Sequence, residues 1–333
     1  MATVAIVILN YNGKKYLEKF LPGVVKNSVG HRIVVADNKS TDDSVAFIKE
    51  NFPSVGLVCL PENGGYSRGY NLALKQIAAD YYVLLNSDVE VTEGWVGPVI
   101  ELMEKDRSIA AAQPKIRSFA EREKFEYAGA AGGYIDILGY PFCRGRLFQS
   151  IESDIGQYDD NREVFWATGA CLFVRAGAFH SIAGLDESFF AHMEEIDLCW
   201  RLQNKDHKIF YCSKSMVYHV GGGTLSKSNP RKTFLNFKNG LSILVKNMPF
   251  FTLLWVLPVR LFLDWVAALK FMTTDSFFDG WAVVRAHCSF FWVLPSTLKK
   301  RNRIKPNKRS MQHVYRGSTV FDFYIRKVIK IDV

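Results

Sequence analysis

Residues 81–90, Tyr-Tyr-Val-Leu-Leu-Asn-Ser-Asp-Val-Glu, constrain the fold more than any other stretch of this 333-residue chain. The apolar and aromatic run Tyr81 to Leu85 has the length and composition of a strand buried on both faces, as in parallel sheets. It breaks at once into Asn86, Ser87, Asp88 and Glu90. A buried strand that ends this way sets its carboxylate at the carboxyl edge of the sheet, where open α/β folds bind ligands. Asp88, with Asn86 just before it, is suited to hold Mn2+ or Mg2+ against a diphosphate. Such cations take one or two carboxylates and leave the rest of the shell to ligand and water. An Asx turn explains the same residues in isolation, so the surrounding chain has to decide.

Earlier segments repeat the pattern. Thr3–Leu9 is a β-rich run followed by the turn Asn10-Tyr-Asn-Gly13 and a helical pattern from Lys14. Arg32–Ala36 ends in Asp37, and Ser40, Thr41 or Asp42 can cap the helix that carries Val45, Phe47 and Ile48. Val55–Leu60 leads into Pro61-Glu-Asn-Gly-Gly65, and a helix is expected over Ser67–Ala79. The βαβαβαβ alternation predicts a parallel sheet wound in Rossmann style. Its loops hold groups that suit a nucleotide. Tyr11, beside Asn10, can stack on a base, and Asp37 can accept from a base N–H or a ribose hydroxyl. Gly64 and Gly65, after Asn63, allow close approach to a helix N-terminus, where an anion is favoured. Arg68 in its first turn can pair with a phosphate. No G-x-G-x-x-G follows the first run, which argues against NAD or FAD.

A helix is expected over Gly94–Arg107 and a strand over Ala110–Ile116. Phe125–Tyr140 holds four glycines in sixteen residues and is expected to form a loop near an acceptor or a lid. Val164–Val174 reads as a strand, with Trp166, Thr168 and Gly169 toward its polar end. From Met193 the spacing of Ile196, Leu198, Trp200 and Leu202 predicts a helix with one apolar face. Glu194 and Glu195 fall in its first turn, as a base held ionised by the helix dipole or as charge complementation of the helix end. Lys208–Tyr211 and Ser215–Tyr218 read as short strands, with His219 before the run Gly221–Thr224.

The formal charge is +9, and Lys299–Arg309 alone carries seven Lys or Arg and no acid. This local basicity points to a surface partner for the tail rather than to nucleic acid. Six cysteines form no C-x-x-C pair, which predicts reduced thiols in a cytoplasmic protein. Val4–Leu9 is too short and lacks the basic lead-in of a secretory signal. The composition shifts after Leu241. Pro249–Met272 and Ser276–Leu298 are apolar and aromatic, interrupted by Arg260, Asp264, Lys270, Asp279 and Arg285, with uncharged runs of at most 13 residues. A spanning helix needs about 20 apolar residues, so two helices in the membrane interface are expected. Trp255, Trp265, Trp281 and Trp292 would lie at headgroup depth and the basic cluster on anionic lipid. A dimerisation appendage is the other reading of the same segment.

Together these stretches resemble the family 2 (GT-A fold) inverting glycosyltransferases, especially the bacterial rhamnosyltransferase-like branch. The resemblance lies in Val7-Ile-Leu-Asn-Tyr-Asn12, Val34-Val-Ala-Asp-Asn-Lys-Ser-Thr-Asp42, Glu62–Asn71, Leu84–Glu90, Thr168-Gly-Ala170, Gly184–Arg201 and Tyr218–Thr224. It implies an α/β GT-A mixed sheet flanked by helices over residues 1–245, with a membrane-associating helical extension over 246–333. It implies Asp37 as the base- and ribose-reading acid and Asp88 as the last acid of the metal motif, with Asn86 in place of the first. It implies Glu195 as catalytic base, with Glu194 as the alternative because Glu195 stands where an Asp is usual, and His219 as a second metal ligand. Activity would be transfer of a sugar from a nucleotide-diphosphate donor to a glycan or lipid-linked acceptor on the inner face of the cytoplasmic membrane. A sugar-nucleotide pyrophosphorylase and a degenerate scaffold are the rival classes; Asn10–Lys15 lacks the Gly-rich basic stretch expected of the first.

Overall fold

The computed structural model describes residues 2–221 and 229–333. The first half runs β1 (Val4–Asn10), α1 (Lys14–Asn27), β2 (Arg32–Asp37), α2 (Ser44–Asn51), β3 (Gly56–Cys59), α3 (Gly65–Leu74) and β4 (Tyr81–Asn86). Then come β5 (Val89–Val91), α4 (Gly97–Lys105), β6 (Ile109–Ser118), β7 (Gly133–Asp136), β8 (Pro141–Cys143), β9 (Arg146–Leu147), β10 (Ser150–Ile151) and β11 (Arg162–Glu163). The second half holds β12 (Cys171–Arg175), α5 (Ala176–Ser181), α6 (Glu194–Gln203), β13 (Lys208–His219), α7 (Pro230–Asn247), α8 (Phe250–Lys270) and α9 (Phe277–Ile304). β14 (Val314–Tyr315) and α10 (Thr319–Tyr324) follow.

The main sheet is mixed, in the order β11-β13-β6-β12-β4-β1-β2-β3, with β5 on β13. Strands β1 to β4 pair in parallel, as the alternation predicts, because each returns through a helix. β1 and β4 are almost wholly buried and read as continuous apolar runs for that reason. The parallel order ends at β12, which lies antiparallel to β4 with Cys171 opposite Leu85. That reversal brings the residues before β12 to the end of β4, where the Asn86 N–H donates to the Ala170 carbonyl at 2.9 Å.

Several expectations change in the tertiary context. Regular pairing begins only at Cys171; Val164–Ala170 is an irregular, buried approach to β12. The two short runs around Ser213 form one strand, β13, with a break in register between Cys212 and Met216. The glycine-rich stretch is not an open loop. It is largely buried and contributes β7 to a second sheet of order β10-β9-β8-β7-β14. Its glycines serve close packing: a Cβ on Gly133 would stand 2.1 Å from the Trp166 ring, and one on Gly129, at φ +136°, would meet Thr168 at 2.7 Å. Past α9 the chain returns to the body, where β14 pairs with β7 and Asp136 accepts from both the N–H and the hydroxyl of Thr319 at 2.8 Å.

The extension is a helical layer. Helix α8 and the π-helical turn after it, Phe250–Thr274, are long and apolar enough to cross a membrane. The charges that break α8 in sequence point inward: Arg260 and Asp264 are 3% and 0% exposed and bond to each other at 2.9 Å. Tyr140 donates to Asp264 at 3.2 Å, and Arg260 to the Leu138 carbonyl at 3.3 Å. Every exposed position from Phe250 to Leu269 is therefore apolar.

Candidate active site

The carboxyl ends of β1, β2 and β4 meet at one edge. Asn10, fully buried, donates to Asp37 and to the Ser40 hydroxyl, each at 3.2 Å, while the other Asp37 oxygen accepts the Ser40 N–H at 2.9 Å. The Asn10 Oδ1 is buried with no partner in the protein. Ser87 lies close by: a Cβ on Gly13 would stand 2.4 Å from Asn10 Oδ1 and 3.5 Å from Ser87 Oγ. Tyr11 is 48% exposed and keeps its ring free. Asn38, which sequence reasoning passed over, ties two loops together. It donates to Asn63 Oδ1 at 3.0 Å and to the Gly65 carbonyl at 3.1 Å. Arg68 is already paired with Glu62 at 2.8 Å and Glu187 at 3.1 Å, so a phosphate would have to compete with both.

Asp88 follows β4, and His219 closes β13. The two are brought together because β5 pairs with β13, Val89 opposite His219. His219 Nε2 is 3.2 Å from Asp88 Oδ1, and its Nδ1 is 3.5 Å from Glu126 Oε2. Burial alone would lower the His219 pKa, but the charge of Glu126 and the Asp88 contact push it up to about 10. Glu126 is the second residue that sequence reasoning missed. It sits at the start of the glycine-rich stretch, and only the tertiary contact identifies it. The run Gly221–Thr224 lies outside the described residues after its first glycine.

Glu194 and Glu195 open α6, after His192 and Met193 at φ of 68° and 72°. Each glutamate has a buried Oε2 with no hydrogen-bond partner among the described residues. Burial raises both pKa values, Glu195 to about 7, and the charge of Glu195 adds to the rise at Glu194. Tyr66, the second residue of α3, reaches this side: its hydroxyl donates to the Gly169 carbonyl at 2.7 Å. A Cβ on Gly169 would stand 2.8 Å from that hydroxyl and 3.7 Å from the Glu195 Cβ. Gly65, at φ +73°, lies against the same loop, where a Cβ would be 2.4 Å from the Phe190 carbonyl oxygen. Residues 168–170 thus bridge the end of β4 to the glutamates.

Two of the sugar-contact expectations change. Trp166 is 3% exposed, packs on Gly133 and donates its indole N–H to the Tyr134 carbonyl at 2.9 Å, so it offers a sugar no face. Thr168 is buried too; its hydroxyl donates to the Ala128 carbonyl at 2.6 Å and its N–H to Gln113 at 2.9 Å. Both act as supports beneath the site. An aromatic and a hydroxyl in sequence do not tell support from contact.

The chain is similar to known proteins. The chain is 26% identical over 233 residues to the N-acetylglucosaminyl-diphospho-decaprenol L-rhamnosyltransferase of Mycobacterium tuberculosis, which covers 64% of this chain and 75% of that protein. It is 24% identical over 227 residues to the rhamnosyltransferase WbbL of Escherichia coli K12, covering 65% and 83%. Among solved structures, GalNAc-T7 with UDP, GalNAc and Mn2+ superposes with a TM-score of 0.62 at 14% identity, over 97% of this chain and 57% of that one. The mannosyltransferase PcManGT of Pyrobaculum calidifontis with GDP-Man and Mn2+ gives 0.53 at 11% identity, over 94% and 87%. These likenesses identify the fold as GT-A. The family model described as Glycosyl transferase family 2 matches residues 5–182, more than half of the chain, and the protein belongs to that glycosyltransferase family.

Proposed function

We propose that the chain is an inverting, metal-assisted glycosyltransferase that moves a sugar from a nucleoside diphosphate to a lipid-linked or surface glycan. Rhamnose is the sugar named for both bacterial relatives and the first choice of donor. The observation that carries this reading is the pairing of two unlike acidic sites along one sheet edge. Asp88 faces His219, while among the described residues Glu194 and Glu195 stand without a cation, joined to the first site through residues 168–170.

The residues fit a divalent cation. Asp88 Oδ1 and His219 Nε2, buried and 3.2 Å apart, offer one carboxylate and one imidazole nitrogen to a single cation. Glu126 on the far ring nitrogen is the carboxylate that orients a ligating imidazole. Among the described residues no cluster of three or more such side chains forms, so the diphosphate and water would complete the shell. Asp88 and His219, the latter on giving up its proton, would hold the cation, which when bound would supply charge against the departing diphosphate. Asp37, held by Asn10 and Ser40, accepts from the base or ribose; Tyr11 covers the base. Glu195 takes the proton of the acceptor hydroxyl as it attacks the face of the anomeric carbon opposite the leaving group, which inverts the centre. Glu194, deeper and flanked by Glu195, is the second choice of base.

Residues 1–245 carry this chemistry and 246–333 dock the protein on the membrane. Because Arg260 and Asp264 turn one face of α8 into the protein, the helix lies along the interface with Phe251, Phe262 and Trp265 outward. Replacing these three by Ser should release the protein from pelleted vesicles of phosphatidylcholine and phosphatidylglycerol; unchanged pelleting would refute the docking face.

The functional test is nucleoside diphosphate release from UDP-, GDP- and dTDP-sugars, with and without Mn2+ or Mg2+. Metal-dependent release from one donor is expected. Silence across the panel, together with no nucleotide binding by calorimetry, would overturn the reading.

A further inference from the structure

The two glutamates at the start of α6 sit at the end of a loop with little regular structure of its own. Residues 186–193 end in two consecutive left-handed residues, a conformation that persists only where the surroundings over-determine it. Yet Asp186 before the glutamates and Asp197 after them are both held, and by the same cation. Lys246, near the C-terminus of α7 and 2% exposed, places its Nζ 2.5 Å from Asp186 Oδ2 and 2.7 Å from Asp197 Oδ1. Asp197 also accepts from Arg201 at 2.7 Å and from Asn247 at 2.8 Å. The other Asp186 oxygen takes Lys300 of α9 at 2.5 Å. Asn239 of α7 donates to the Ala191 and His192 carbonyls at 3.1 and 2.9 Å, just before the glutamates.

The geometry points to Lys246 as a positioning residue for the Glu194–Glu195 pair: one buried ammonium closes residues 186–197 into a ring against α7 and so fixes where the base stands. The inference rests on the reading of Glu195 as base. Electrostatics agree with the geometry. Burial works against ionisation of Asp186, but Lys246 and then Lys300 hold its carboxyl far below the ordinary range. Charged hydrogen bonds in a buried site are short and directional, and they fix a group more tightly than apolar contact does. Because Lys246 and Lys300 come from α7 and α9, the helical layer that follows the catalytic sheet takes part in shaping the site.

The test uses the full chain with the donor found by the release panel and compares Lys246→Met with wild type. A misplaced base lowers kcat while leaving donor binding intact, so kcat should fall about tenfold or more with KM for donor within about twofold. Hydrogen–deuterium exchange should accelerate in the peptide covering residues 186–197 and stay unchanged in that covering β1 and β2. Unchanged exchange at 186–197, or kcat within about twofold of wild type, would overturn the proposal. Should Lys246→Met not fold, Lys300→Gln cuts one arm of the network from its more exposed side. A kcat loss of about threefold with faster exchange at 186–197 supports the clamp, and no change in either refutes it. Glu195→Gln separates the two readings: full activity there removes the base assignment, whereas a silent Lys246→Met beside an inactive Glu195→Gln removes the clamp alone.

Discussion

Asp88 and Glu195 are both carboxylates at the same edge of one sheet, and the fold treats them in opposite ways. Asp88 meets a buried histidine whose other nitrogen faces a second carboxylate. Among the described residues Glu195 meets no cation and keeps an unpartnered oxygen, and burial raises its pKa to about 7. The first arrangement keeps negative charge in place and suits a cation and a diphosphate. The second keeps a carboxylate ready to gain a proton near neutral pH, which suits a base. Lys246 adds a contrast within α6 itself. It neutralises Asp197 while, among the described residues, the neighbouring Glu195 is left without a cation, so positive charge enters the helix two residues from the proposed base and on its other side.

This contrast can be broken by substitution. The largest expected effect is Glu195→Gln, which removes the proton acceptor at almost constant shape. It should lower kcat by about 10²–10⁴-fold with donor affinity retained; a variant of normal kcat would end the base assignment. Next is Glu126→Gln, which should weaken Mn2+ binding, measured by calorimetry with nucleotide present, by about 10–100-fold through the orientation of His219. An unchanged affinity would reduce Glu126 to a packing role. Smaller still is a pH effect on kcat. Because Glu195 acts ionised, kcat should rise with pH through an apparent pKa near neutrality, about 7, and a flat profile over that range would break the contrast.

The smallest effect concerns stability. A carboxyl whose folded pKa is raised binds more protons folded than unfolded, so stability falls as pH rises from about 4.5 to about 7. Glu195→Gln removes that loss. Its urea midpoint should therefore gain on wild type at the upper end of the window, and equal gaps at both ends would mean that burial does not strain Glu195.

The groups proposed to hold the donor stood out in the sequence because they sit at the ends of strands. Asn10, Asp37 and Asp88 each terminate or closely follow an apolar run, and a parallel sheet aligns such ends whatever the loops do. Asn38 was missed because an Asn in a turn looks like any other Asn until two loops converge on it. Trp166 and Thr168 were placed correctly along the chain but assigned the wrong surroundings, since a side chain beside a pocket and one beneath it share the same sequence signal. The glycine-rich stretch was misread for a related reason. Flexibility in an isolated chain becomes close packing once Trp166, Thr168 and Val164 fill the space that the glycines leave.

From sequence alone came the βαβαβαβ half-sheet, the acids at its carboxyl edge and the apolar character of the extension. All of these follow from local periodicity and from residue types at run boundaries. Only the tertiary structure decided which groups meet across long separations: His219 with Asp88 and Glu126, and Lys246 with Asp186 and Asp197. It also decided that Arg260 and Asp264 face inward, which turns an interrupted apolar segment into an unbroken apolar face. The physical reason is the same in each case. Partners for a buried charge are chosen by where the chain folds back, and that choice leaves no periodic trace in the sequence.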